Sequence, residues 1–168
     1  MHNVSEGCGC NLLGKPPSES KVEMTELVLP NDTNLLGNLL GGRLMHWIDI
    51  AGAMAASRHS NRVTATVALD SLDFRHPARM GELVILRAKL TWAGTTSMEA
   101  TVRAYAENIK TGSVILTNTA YITFVALDDD GKPTPVPPLL PETEEEKKDY
   151  IEAELRRNER LKRKKREG

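Results

Sequence analysis

The stretch Asn34-Leu-Leu-Gly-Asn-Leu-Leu-Gly-Gly-Arg-Leu-Met-His-Trp-Ile-Asp-Ile-Ala-Gly-Ala-Met-Ala-Ala-Ser-Arg-His59 decides the fold of this chain. A turn-forming segment (Pro30, Asn31, Asp32, Asn34, Gly37, Asn38) leads into the pair Gly41-Gly42, and a run with helical spacing follows. Leu44, Trp47, Ile48, Ala51 and Ala55 fall on one face of that helix. Met45, Ile50, Ala53, Met54 and Ala56 make the remaining surface apolar too, leaving His46 and Asp49 as the clearly polar residues between Leu44 and Ala56. A helix apolar all round is a buried one, and this run is too short to span a bilayer. An ionised carboxylate in a buried helix is costly unless paired, hydrogen-bonded or placed at a solvent-filled cleft. Two readings of Asp49 are therefore open: a carboxylate paired with an Arg or a backbone donor, or a catalytic carboxylate.

On either side of the helix the pattern changes to strands. Residues 21–29 read as a first strand, stopped by Pro30. Residues 62–71 alternate, with Val63, Ala65, Val67 and Leu69 on one face and Thr64, Thr66, Ala68 and Asp70 on the other, and residues 73–76 extend the strand beyond a bend up to Pro77. Three further strands follow at 83–92, 97–107 and 113–127, joined by the short turns 93–96 and 108–112. Long strands with one apolar helix between the first and second predict an α+β fold, an antiparallel sheet wrapped on a central helix.

The 168 residues, 40% of them hydrophobic, suffice for one domain with a core. A net charge of −1 indicates no global field for nucleic acid or an anionic membrane, and no signal-peptide layout is present. A soluble, cytoplasmic protein with no nucleic-acid and no membrane partner is expected. Cys8 and Cys10 stand too close, and too far from other ligand types, for a four-ligand zinc site. They read as reduced thiols on a flexible arm, residues 1–20, and no metal site is expected. Residues 132–142, with Pro at 133, 135, 137, 138 and 141, form an extended connector. Residues 143–168 read as a charged helix opened by the capping-box pattern Thr143-x-x-Glu146. Acidic residues lead it and Lys and Arg end it, which suits the helix dipole. The basic end reads as a solvated, partly frayed helix, or as an attraction for phosphates.

The pattern Pro30-Asn-Asp-Thr-Asn34-x-x-Gly37-Asn38-x-x-Gly41-Gly42-x-Leu44-Met45-x-x-Ile48-Asp49-x-Ala51-Gly52 resembles the signature of hotdog-fold acyl-CoA thioesterases. It is most similar to the cytosolic (brain-type) acyl-CoA hydrolase group and its single-domain bacterial relatives. The resemblance implies that residues 21–131 form a hotdog unit. It also implies self-association as dimers and then as a trimer of dimers, a homohexamer, with active sites between subunits. The implied reaction is hydrolysis of acyl-CoA to a fatty acid and coenzyme A. No cofactor is called for, since coenzyme A is part of the substrate and product.

In that chemistry Asp49 acts as general base on water or as nucleophile through a transient anhydride. The resemblance makes Asn34 the catalytic Asn, facing Asp49 of the partner subunit; as a turn-former it also has a plain role in an Asx-turn. Gly41 and Gly42 offer backbone amides at the helix start for an oxyanion hole, or relieve crowding at the turn. His46, three residues before Asp49, could pair with it, as a dehydratase of the same fold would require. Arg58, Arg75 and Arg79, with Thr96 and Ser97 of a turn between strands, are candidates for the phosphates and nucleotide of coenzyme A, and His59 and His76 add charge beside Arg58 and Arg75. A non-hydrolytic acyl-CoA-binding or regulatory hotdog protein would need the groove but not Asp49.

Overall fold

The computed structural model describes residues 12–168, so Cys8 and Cys10 lie outside the described residues. Five strands, β1 (Val22–Leu27), β2 (Val63–Phe74), β3 (Leu83–Ala93), β4 (Ser97–Glu107) and β5 (Val114–Leu127), form one antiparallel sheet in the order β1-β3-β4-β5-β2. The chain passes from one edge of that sheet, β1, to the other, β2, through helix α1 (Gly41–Ser60). The helix therefore crosses one whole face. A second helix, α2 (Glu144–Glu167), lies against the opposite face. This is the expected sheet wrapped on a central helix.

Helical periodicity turns Leu44, Trp47, Ile48, Ala51 and Ala55 onto the sheet, where they pack with Leu86, Leu90, Met98, Val102, Ile122 and Phe124. Gly52 lets the helix backbone come close: a Cβ there would stand 3.0 Å from the Phe124 ring. Met45, Ile50 and Met54 are exposed, so α1 is not buried all round as its composition suggests. A single sheet covers only one side of a helix, and among the described residues nothing covers the remaining apolar side.

The expected clean alternation of β2 is also corrected. Its register against β5 slips twice, leaving Val67 and Asp70 without partners. Each slip is a β-bulge, which adds a residue and turns the following side chains. Thr66, Leu69 and Leu72 consequently line one cavity beside α1, three residues apart rather than two.

The arm expected to stay flexible up to residue 20 is packed from Lys15 onward. Lys15 exchanges backbone hydrogen bonds with the connector, Lys15 N–H to the Pro138 carbonyl at 3.0 Å and Leu140 N–H to the Lys15 carbonyl at 2.9 Å. Residues Pro17–Ser20 form a 3-10 turn whose Ser20 hydroxyl accepts from Leu90 N–H at 2.9 Å. The connector is extended and pinned: Val136 N–H reaches the Thr95 carbonyl at 2.9 Å, and Val136 and Leu139 are buried.

His59, read from the sequence as charge for a ligand, is fully buried at the end of α1. Its Nε2 lies 2.7 Å from the Pro137 carbonyl, so that nitrogen carries the proton it donates. Nδ1 has no partner among the described residues. Burial pushes the imidazole below its ordinary value of 6.5, the Pro137 carbonyl pulls the other way, and Lys15 adds to the effect of burial. Unfolded chains take up this proton near 6.5 while the native state resists it. The stability due to neutral His59 is thus complete above that value and lost as pH falls below it. The melting temperature of the wild type is expected to fall more steeply between neutral and mildly acidic pH than that of His59→Gln, measured by scanning fluorimetry in a buffer series.

Helix α2 begins as the capping box requires. Glu146 N–H donates to the Thr143 hydroxyl at 3.1 Å, and the Glu146 carboxylate accepts from Thr143 N–H at 3.2 Å and Glu142 N–H at 2.8 Å. Its basic end, residues 161–168, is exposed as the charge suggested, but the turns before it are held to the sheet. Arg156 grips the buried Glu99 of β4 through Nη2 at 2.7 Å and Nε at 3.1 Å, and its guanidinium lies 3.7 Å from the centroid of Tyr121. Arg160 pairs with Asp70, and Arg157 lies over Trp92. The Asp70 bulge is thus an anchor for α2 on the β2 edge. Among the described residues no helix is long and apolar enough to cross a membrane.

Candidate active site

Asp49 sits midway along α1 at the rim of an apolar cavity of about 220 Å³, lined by Met45, Ile48, Leu69, Leu72 and Ile122. Helical spacing puts it beside the core face, where it is half-buried. Its Oδ1 accepts a hydrogen bond from the Thr66 hydroxyl at 2.7 Å. A carboxylate held by one hydroxyl at the mouth of an apolar pocket keeps a second oxygen for chemistry. Neither an Arg nor a backbone donor pairs with it among the described residues, which disfavours the reading of a structural ion pair. His46 is exposed and makes no hydrogen bond to Asp49, so the pair that a dehydratase would use is not formed.

Thr66 is the functional candidate that sequence reasoning missed. Strict alternation assigned it to the face opposite Leu69, and the bulge at Val67 brings both to the cavity of Asp49.

Asn34 belongs to a second cavity of about 340 Å³, shared with Asn38, Gly41, Phe74, Arg75, His76 and Asn118. Its loop is tightly built. Gly37 adopts φ +75°, which only glycine takes without strain. The Asn34 Oδ1 accepts from Leu36 N–H at 2.9 Å and Asn38 N–H at 3.1 Å. Those two donors fix the amide: the carbonyl faces the loop and the NH₂ faces away from it. Asp32 ties the loop to α1, accepting from Leu29 N–H at 3.0 Å and pairing with Arg43 at 3.1 Å. The Asx-turn and a ligand-facing NH₂ are therefore compatible roles of one side chain. Within one chain Asn34 and Asp49 line different cavities.

Helix α1 has no side-chain cap, and its first internal bond runs from Leu44 N–H to the Leu40 carbonyl. The amides of Gly41 and Gly42 precede that bond and need partners elsewhere. A Cβ at Gly42 would meet nothing within 4 Å, and at Gly41 only the edge of the Phe74 ring at 3.8 Å. Crowding in the chain itself does not require these glycines. Among the described residues no side chain crowds either position, which gives the reading of steric relief no support.

The proposed coenzyme A residues do not form one cluster. Arg75 and Arg79 lie at the end of the sheet where α1 starts, and Arg75 is paired with Asp73 at 2.8 Å. Arg58 lies at the opposite end of α1, hydrogen-bonded to the Lys21 carbonyl. Thr96 and Ser97 are at that same far end, and their carbonyls accept from Ala126 and Gly94 N–H. The connector covers the adjacent Thr95. The physical reason is topology: α1 runs the length of the sheet, so residues at its two termini stand apart within one chain. Among the described residues no group of three or more His, Cys, Asp and Glu is placed to hold a metal ion.

Residues 36–113 match the model of the thioesterase superfamily. An uncharacterized acyl-CoA thioester hydrolase of Bacillus subtilis is 47% identical over 146 residues, covering 87% of this chain and 85% of that protein. The cytosolic acyl coenzyme A thioester hydrolase of Rattus norvegicus is 33% identical over 141 residues, which is 37% of its own length. An apo-hexameric acyl-CoA thioesterase superposes with TM-score 0.87 at 41% identity, covering 90% of this chain and 97% of that one. The acyl-CoA hydrolase of Staphylococcus aureus, solved with butyryl coenzyme A and coenzyme A, superposes with TM-score 0.84 at 37% identity, over 91% and 93% of the two chains. That protein has also been solved as alanine variants of an asparagine, an aspartate and a threonine, whose separations along the chain equal those between Asn34, Asp49 and Thr66 here. A carboxylate at the mouth of an apolar pocket, uncapped amides at a helix start and identity of this extent agree: the chain belongs to the acyl-CoA thioester hydrolases of the hotdog-fold thioesterase superfamily.

Proposed function

We propose that this chain hydrolyses acyl-CoA at sites shared between two subunits, Asp49 coming from one and Asn34 from its partner. The observation that carries the reading is the Asp49 carboxylate, fixed by Thr66 at 2.7 Å at the rim of an apolar cavity. The cavity suits the acyl chain and the carboxylate the scissile carbonyl. Asp49 deprotonates the attacking water or attacks the carbonyl itself. The Asn34 NH₂ and the Gly41 and Gly42 amides stabilise the oxyanion that develops. Water and protein groups suffice for this chemistry, and coenzyme A enters only as part of the substrate.

Two features support the shared site. β2 is a twelve-residue edge strand with exposed Val63, Val67, Leu69 and Phe74, and unpaired edges of this kind seek partners. Beside it lies the uncovered side of α1 with Met45, Ile50 and Met54. Pairing of two such edges makes the dimer, and three dimers make the hexamer, a reading supported by the hexameric neighbour. The cytosolic rat relative supports a cytoplasmic location. Arg75 and His76, in the cavity of Asn34, are the groups placed to meet the phosphates of coenzyme A.

Mixed subunits test the division of labour. Asp49→Asn and Asn34→Ala homo-oligomers are each expected to release little thiol from hexanoyl-CoA. Refolding them together should restore activity, because a mixed dimer regains one site with both wild-type residues. Restoration to a substantial fraction of the wild-type rate is the expected result. No recovery in a verified mixed oligomer would place both residues in one chain's site.

A further inference from the structure

Asn118 continues the inward row of β5, Ala120, Ile122 and Phe124, and like them it is buried, at 1% exposure. A polar side chain in such a row is costly unless its hydrogen-bonding groups find partners. One end of the amide does: Nδ2 donates to the Asp73 carbonyl, near the end of β2, at 2.9 Å. A carbonyl can only accept, so this bond fixes the NH₂ toward Asp73 and turns Oδ1 away from it. Among the described residues no N–H or O–H donates to Oδ1, yet this oxygen is not sealed inside the protein. The side chain lines the cavity that holds Asn34 and Gly41. That cavity thus carries donors, the Asn34 NH₂ and the amide at the helix start, together with a buried acceptor, the Asn118 carbonyl oxygen. Arg75 and His76 of the same cavity are exposed, and their charge disfavours a cationic donor.

We propose that Asn118 reads the substrate amide nearest the thioester, accepting its N–H at Oδ1. The inference rests on the hydrolase reading above, in which the thioester oxygen takes the donors at Asn34 and Gly41. A thioester has no N–H to give in return. The next polar group along the pantetheine arm is a secondary amide, joined to the sulfur by an ethylene linker. A short linker keeps that amide in the cavity whose donors hold the thioester oxygen. Its N–H satisfies the buried oxygen without bringing a charge into an apolar setting. An analogue lacking the N–H would leave the oxygen unpaired, which is how a buried polar group rejects a wrong ligand. Asn118 is thus a specificity residue for the leaving group, selecting thioesters of pantetheine, while Asp49 acts on the carbonyl.

The test uses the full-length oligomer and a pair of thioesters. One is hexanoyl-pantetheine; the other has an ester oxygen in place of the N–H of the amide nearest the sulfur. Wild type should prefer the amide by about 10- to 100-fold in kcat/KM, the usual cost of leaving one buried acceptor unpaired. Asn118→Leu, which keeps the bulk and removes the oxygen, should treat the two alike. Asn118→Ala removes the same oxygen and serves if the leucine variant does not fold. An Asn118 that only ties β5 to Asp73 would lower both rates together and leave their ratio at the wild-type value, so a ratio unchanged in the folded variants overturns the proposal. Equal turnover of the two thioesters by wild type overturns it as well, since water alone would then meet Oδ1. Turnover of neither, and of no acyl-CoA, would sink the hydrolase reading itself. The contact is then judged by calorimetric titration of pantetheine and its ester analogue. Tighter binding of the amide by wild type and not by the variant supports the contact, and equal binding overturns it.

Discussion

Asp49→Asn is expected to lower kcat for acyl-CoA hydrolysis by about 100- to 10,000-fold, the usual worth of a positioned acid–base group, with coenzyme A affinity and melting temperature close to wild type. The amide has the shape of the carboxylate and can still accept the hydrogen bond that the Thr66 hydroxyl donates to Oδ1 at 2.7 Å. The helix is already seated by Trp47, Ile48, Ala51 and Ala55, all buried without help from Asp49. Packing is therefore untouched, and what disappears is the charge and the basic lone pair. General-base and nucleophile mechanisms both need that group, so kcat falls in either, while binding made elsewhere along the ligand is kept. Thiol release from acetyl-, hexanoyl- and palmitoyl-CoA, with coenzyme A titrated calorimetrically into the variant, checks both halves. Turnover that survives the substitution would keep the enzyme and discard the carboxylate chemistry. Loss of coenzyme A binding together with turnover would show a structural role for Asp49 instead.

Much of the architecture is legible in the sequence because its signals are local and repeated. Helical spacing from Leu44 to Ala55 sets α1, and alternation in 97–107 sets β4 with the inward row Met98, Ala100, Val102, Ala104 and Ala106. Asp49 stands out as a charge in an apolar helix, and the structure places it at a cavity beside Thr66. What escapes the sequence depends on non-local geometry. Thr66 is assigned to the wrong face because a bulge changes the period of β2, and nothing in residues 62–74 marks where a ladder slips. That Arg58 stands apart from Arg75 and Arg79 within one chain is not legible, because composition does not tell which end of a long helix each occupies. His59 reads as a surface charge beside Arg58, but the connector folds back from residue 137 to bury it. The exposed end of the tail is legible in its charge, but the docking of Arg156 and Arg160 is not, because their counter-charges, Glu99 and Asp70, lie far away in the chain on strands that look like plain alternation.

The tail also gives the largest expected effect on stability. Arg156→Ala should cost about 3–5 kcal/mol, the usual consequence of leaving a buried charge without its partner. The Glu99 side chain is 4% exposed, and without Arg156 its carboxylate would keep only the Thr91 hydroxyl, which donates at 2.7 Å. Burial works against the Arg156 charge, but the hydrogen bonds to Glu99 and the nearby Glu99, Tyr121 and Glu152 more than offset it, so its pKa is raised. Arg156→Lys should recover little, since one ammonium cannot make both bonds to Glu99 and also lie flat on the Tyr121 ring. The double variant Arg156→Leu with Glu99→Gln should lose much less than Arg156→Ala, because no buried charge is left unpaired. Urea unfolding of the three variants at one protein concentration separates these cases, the fixed concentration being required because assembly adds to apparent stability. A cost for Arg156→Ala below about 1 kcal/mol, the level of an exposed ion pair, would mean that α2 rests on the sheet without anchoring it. A cost in the expected range with Asp49-dependent turnover unchanged would make α2 a brace for β3 and β4, on the face of the sheet remote from the thioester.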